Sequence, residues 1–111
     1  MFLDVIRRRN PRLIEVAIAL HQAGRIPPNA YVIDLDAVEA NARLMRQRCD
    51  RLGLRVFAMT KQVGRNPDFC RAVMAGGIDA AVAVDMDCAR SIRRAAMKLG
   101  HIGHLVQVPR A

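Results

Sequence analysis

Lysine is nearly absent from this chain. Of its 18 lysine and arginine residues only Lys61 and Lys98 are lysines, so chemistry that needs a primary amine has two side-chain candidates. Aromatic residues are equally sparse, at 4% with no tryptophan, which leaves no platform on which bases could stack. The arginines are spread along the chain, with Arg7-Arg8-Arg9 the one dense run, so the net charge of +8 is not read as a nucleic-acid surface. No apolar run approaches the roughly 20 residues that a bilayer requires, and the sequence predicts no membrane partner. The amino terminus places its apolar residues before its charges and has no small-residue cleavage site, the reverse of a secretory signal. A cytoplasmic protein is expected. Cys49, Cys70 and Cys88 are odd in number and lack the paired spacing of metal ligands, so free thiols are expected and no metal. His21, His101 and His104 are likewise scattered and read as surface or capping residues.

What is present is a soluble globular composition, 52% hydrophobic and 25% charged over 111 residues, enough for one small domain with a core. Residues 1–29 read as a helical extension. Phe2 to Arg9 can form a short helix, Asn10-Pro11 is a cap-plus-proline start for a second, and Gly24 ends it. Ile26-Pro27-Pro28-Asn29 then serves as a linker.

From Ala30 onward short β-rich runs alternate with helical ones. Tyr31–Leu35 reads as a strand, followed by a helix capped by Asp36, with Glu39 three residues later in the capping-box arrangement. Arg55–Thr60 is the second strand. Asn66-Pro67 opens the next helix, Ile78–Val84 is the third strand, a helix runs from about Asp87 to Leu99, and His104–Val108 is the fourth strand. This β-α-β-α-β-α-β order predicts an α/β fold with a parallel sheet. The first strand-to-helix turn, Asp34-Leu35-Asp36-Ala37, lacks the glycines of a dinucleotide-binding loop, which argues against a Rossmann sheet. A closed barrel needs eight strands and about 250 residues, so residues 30–111 are expected to be a truncated part of one, with open sheet edges.

The tract Arg55-Val56-Phe57-Ala58-Met59-Thr60-Lys61-Gln62 delivers a lysine at the carboxyl end of its strand, where ligands and reacting groups collect in α/β proteins. Two readings stand here. Lys61 is either a partly screened amine available for Schiff-base chemistry or an exposed cation. Asp34 and Asp36 form a tempting carboxylate pair, but strand alternation and helix capping account for them.

Three tracts carry a resemblance: Tyr31 to Arg43, with Asn41; Thr60-Lys61-Gln62-Val63-Gly64-Arg65-Asn66-Pro67; and Ala75 to Val84. In order and spacing they resemble the amino-terminal half of the alanine racemase-like, fold-type III pyridoxal phosphate-dependent barrels, and among these the YhfX-like branch. The resemblance implies a TIM-type barrel in which Lys61 forms the internal aldimine with pyridoxal 5'-phosphate and acts on an amino-acid substrate in racemase or lyase chemistry. It places Thr60, Gln62 and Arg65 beside the cofactor. Racemases proper carry a tyrosine four residues after the lysine, where this chain has Arg65. Arg65 either touches the phosphate or pairs with Asp68 on the next helix, and Asn66 reads as a helix cap. The resemblance also implies that later strands and a partner subunit supply the main phosphate loop and the second acid/base. A chain ending at Ala111 is therefore expected to bind cofactor weakly. Two other readings remain: a non-catalytic remnant that self-associates as a homo-oligomer through its sheet edges, and a basic binding protein using Arg7 to Arg9.

Overall fold

Two asparagine-proline pairs set the helix starts. In the computed structural model, which describes residues 2–103, Asn10 accepts a hydrogen bond from Leu13 N–H and Pro11 opens α2 (Pro11–Gln22), after α1 (Phe2–Arg9). Asn66 repeats the device, accepting from the N–H groups of Asp68 and Phe69 at 2.8 and 3.2 Å, with Pro67 opening α4 (Pro67–Ala75). In each case the side-chain oxygen satisfies N–H groups that the helix cannot, and proline costs nothing at that position.

The chain forms two compact units, one ending at Asp34 and one beginning at Leu35. The first holds α1 and α2; no residue of α2 is buried, and the Asn10 amide donates to the Asp34 carboxylate. Tyr31–Leu35 is not a strand. Residues 31–34 join no ladder, Tyr31 is 92% exposed, and Leu35 already belongs to α3 (Leu35–Arg51). Asp36 consequently lies inside the first turn of α3 instead of capping it, and Glu39 pairs with Arg43 one turn on. The hydrophobic alternation that suggested a strand does not suffice without a neighbouring strand to complete its hydrogen bonds.

The second unit is α/β. Its sheet has the order β1-β2-β3, with β1 (Ala58–Met59), β2 (Ala80–Ala83) and β3 (Lys98–Ile102) all parallel. Helix α4 connects β1 to β2, and α5 (Met86–Arg94) connects β2 to β3. Strand β1 is shorter than the Arg55–Thr60 expected, because only Ala58 and Met59 find partners, Ala81 and Val82. The last helix stops at Arg94, five residues early: Ala96 takes a left-handed φ of 61°, Met97 N–H bonds back to Ile92 O, and β3 starts at Lys98. The alternation of Leu99 and Ile102 around a bulge serves the sheet rather than a helix face. The fourth strand expected at His104–Val108 lies outside the described residues.

Register assigns the faces. Ala58 is opposite Ala81, which is opposite Leu99, and Ala83 is opposite Ile102. Ala81 and Ala83 are buried in the hydrophobic core with Cys70 and Val73 of α4, Cys88 and Ile92 of α5, and Ala42 of α3, and the half-buried Ala58, Leu99 and Ile102 pack against it. The core is built from small side chains, and helices approach closely as a result. A Cβ on Gly76, just after α4, would stand 2.6 Å from the Glu39 carbonyl and 2.5 Å from the Ala42 Cβ of α3. Neither can retreat without moving the α3 backbone. Gly76→Ala is therefore expected to cost about 1–3 kcal/mol, measured as a lowered midpoint of thermal or urea unfolding. An unchanged midpoint would mean that α3 and α4 are not packed this tightly.

Candidate active site

Parallel pairing brings the carboxyl ends of β1 and β2 side by side, and the residues with chemistry lie there. Strand β1 runs into Thr60, which is fully buried, and then into a 3-10 turn at Lys61–Val63. Lys61 is exposed rather than partly screened, and its amine makes no ion pair or hydrogen bond among the described residues. The other lysine differs. Lys98 donates to Asp79 at 2.6 Å, and this bond holds the Asp79 carboxyl below the usual carboxylate range. One of the two amines is thus tied into a pair at the amino end of β2 and β3, while the other stands free at the carboxyl end of β1.

The turn carrying Lys61 folds back on the Thr60 carbonyl, which accepts from Val63 N–H at 3.4 Å and from Arg65 N–H at 3.0 Å. Gly64 and Arg65 both adopt left-handed backbone, at φ 64° and 59°. That is free for glycine but strained for arginine. Gln62 is exposed beside Lys61, and Asn66 is engaged as the α4 cap.

Arg65 does not take Asp68, which pairs with Arg71 on the same helix. It reaches across to Asp85 at the end of β2, Nη2 to Oδ2, at 2.9 Å. Asp85 is also the cap of α5, its Oδ1 accepting from Cys88 N–H at 2.6 Å. Contact with Cys88 and, secondarily, the Asp85 charge raise the Arg65 guanidinium above its usual value although burial opposes them. It is a cation at any working pH. Two buried polar atoms lack a hydrogen-bond partner among the described residues, Thr60 Oγ1 and Arg65 Nε. Asp85 is the site residue that sequence reasoning missed. Val84-Asp85-Met86-Asp87 offers two possible caps, and starting the helix at Asp87 hides the first, while a partner twenty residues away leaves no local signal.

An apolar cavity of about 420 Å³ lies elsewhere in this unit, lined by Val38, Met45, Val56, Met59, Phe69 and Ile78 among others. It has no ionisable lining and is separate from Lys61. His21 and His101 are exposed, Cys70 and Cys88 are buried free thiols, and the described residues contain no cluster able to hold a metal. No described helix is long and apolar enough to cross a membrane.

The parallel strands and connecting helices make the second unit α/β, and sequence comparison gives its family. Residues 33–107 match the alanine racemase, N-terminal domain. The chain belongs to that family. It is also similar to the uncharacterized protein YhfX of Escherichia coli (strain K12), 41% identical over 109 residues, which cover 98% of this chain and 28% of the relative. The chain thus spans little more than a quarter of that relative's length.

One consequence concerns pH. Burial above all, then the neighbouring Cys88, push the Cys70 thiol up; Arg71 and the Thr60 hydroxyl, the latter across a contact outside hydrogen-bond geometry, pull the other way. Folded Cys70 therefore keeps its proton to higher pH than unfolded Cys70. Its contribution to stability is complete below the ordinary thiol value of 9.0 and declines as pH rises through and beyond it. The thermal midpoint is expected to fall between pH 8 and pH 10 more steeply than in Cys70→Ala. Equal slopes would show that the thiol is not shielded.

Proposed function

We propose that this chain is the amino-terminal portion of a pyridoxal phosphate-dependent racemase- or lyase-like enzyme acting on an amino acid, with Lys61 the residue that holds the cofactor. Membership of the alanine racemase N-terminal family supports a cofactor-dependent enzyme of this kind. The observation that carries the residue assignment is the contrast between the two lysines: Lys98 is committed to Asp79, and Lys61, at a strand's carboxyl end, has no partner among the described residues. The three parallel strands are read as part of a closed (β/α) barrel, in which such an end faces the site.

The donor set fits the cofactor. A free primary amine can condense with its aldehyde, and the exposed Gln62 amide can hydrogen-bond beside it. Arg65 supplies fixed positive charge on the same loop, suited to a phosphate, although Asp85 already occupies Nη2. Thr60 lies next to Lys61 in the chain, but its hydroxyl is fully buried, so its part is to support the turn rather than to touch the cofactor. When bound, pyridoxal phosphate supplies an electron sink for charge developing at a substrate α-carbon. The part of Lys61 is to bind the cofactor and, once displaced by substrate, to move a proton at that carbon. The substrate is an amino acid and the working compartment the cytoplasm in this reading.

A second reading rests on β1, whose outer edge no described strand covers and whose Met59 is exposed. Such an edge favours self-association without chemistry.

The test is an absorbance spectrum of the full chain with pyridoxal phosphate, followed by borohydride reduction and peptide mass mapping. Amine and aldehyde condense with loss of water, and borohydride then reduces the C=N bond to a stable secondary amine. A visible absorption band, with the label on the Lys61 peptide and absent in Lys61→Ala, is the expected result. Label spread equally over Lys98, or no label, together with concentration-dependent sedimentation, would favour the second reading.

A further inference from the structure

The loop that presents Lys61 has one backbone bond of ordinary length, Arg65 N–H to Thr60 O at 3.0 Å. Three of its turn bonds, Val63 N–H to Thr60 O, Gly64 N–H to Lys61 O and Asn66 N–H to Val63 O, measure 3.4, 3.2 and 3.4 Å. These are long against the usual value of about 2.9–3.0 Å. Lys61 and Gln62 are exposed and Val63 is only half-buried, so apolar packing holds little of the turn. The loop also contains a strained residue, since Arg65 occupies the left-handed region at φ 59° directly after Gly64. Within the loop its amide bonds to the Thr60 carbonyl at 3.0 Å, and its side chain ties it to the neighbouring strand end.

Among the described residues, Asn66 ties the loop to α4 and the Arg65 side chain ties it to the end of β2. The Arg65 guanidinium crosses to Asp85 at 2.9 Å, faces Cys88, and has Nε buried. Asp85 divides its carboxylate between two tasks: Oδ1 caps α5 at Cys88 N–H, and Oδ2 takes Arg65. A single residue at the end of β2 thus fixes both the start of α5 and the loop after β1. We propose that Asp85 is a positioning residue of the Lys61 site, locking residues 60–66 through Arg65 in the conformation that presents the lysine amine. This assignment rests on the reading of Lys61 given above. It also gives Arg65 a defined role, as the strut between two neighbouring strand ends.

The dual use of the carboxylate makes the test selective. Asp85→Asn keeps an oxygen for the Cys88 N–H and removes the charge that Arg65 needs. Arg65→Gly removes the strut from the other side while accepting the left-handed backbone without strain. Two quantities are read on the full chain. Hydrogen exchange at the residue-65 amide, corrected for the intrinsic rate of the residue present, is expected to quicken about tenfold in both variants, the size of one lost charge-assisted bond, while exchange at the Cys88 amide in Asp85→Asn stays near wild type. The preference of pyridoxal phosphate for Lys61 over Lys98, from borohydride trapping and mass mapping, is expected to fall by a similar factor.

Unchanged exchange in Asp85→Asn would overturn the inference, because the loop would then hold itself. Faster exchange with an unchanged preference for Lys61 would also overturn it, leaving Asp85 a purely structural residue. Wild-type protein that shows no preference for Lys61 would refute the cofactor reading, independently of the variants, and the positioning role with it.

Discussion

The register of β2 is the constraint on which the rest depends. It is the one described strand paired on both sides, and its residues Ala80-Ala81-Val82-Ala83 are small enough for neighbouring strands and helices to close around them. Parallel pairing of Ala58 with Ala81 and Met59 with Val82 leaves both chains to exit at the same end of the sheet. Thr60 and Lys61 follow on one side and Val84 and Asp85 on the other. The Arg65–Asp85 bond is therefore a consequence of topology, since two consecutive parallel strands linked by α4 bring residues twenty positions apart into neighbouring loops. At the opposite end, Asp79 and Lys98 pair across the starts of β2 and β3, and Lys98 N–H also bonds to Asp79 O at 2.9 Å. The sheet is pinned at both ends, by an arginine pair at one and a lysine pair at the other.

Much of this was legible in the sequence where the signal is local. Asn10-Pro11 and Asn66-Pro67 name their helices because the cap and the proline act within one turn. Gly24 and Gly64, both left-handed, end a helix and a turn as their position suggests. The places of failure are those where a longer-range partner decides. Tyr31–Leu35 has strand-like composition, and whether it becomes a strand depends on a neighbour the pattern does not contain. Residues 95–99 have helix-compatible composition, yet the chain turns at Ala96 so that Leu99 and Ile102 can meet β2. In the candidate site, Lys61 draws notice from sequence because it ends an apolar run and is one of two lysines. Asp85 does not, and of the two readings left open for Arg65 the pairing with Asp68 is not the one seen, because Asp68 is near in sequence while Asp85 is near in space.

The chemistry divides along the same line between what is buried and what is free. Cys70, Cys88 and Thr60 are fully buried, out of reach of solvent. Lys61 and Gln62 reach solvent on a loop whose shape is fixed from beneath. The loop thus has an exposed lysine amine beside a paired arginine and carboxylate, the arrangement from which the proposed cofactor-holding role is argued. In a chain that matches the alanine racemase N-terminal domain, this arrangement places the cofactor-holding role on Lys61 in the proposed reading.

The most direct measurement is a crystal structure of the chain grown with pyridoxal phosphate. The account calls for continuous electron density from Lys61 Nζ into the cofactor ring, with the Arg65–Asp85 bond intact beside it. Density joined to Lys98, or cofactor bound without contact to Lys61, would contradict it.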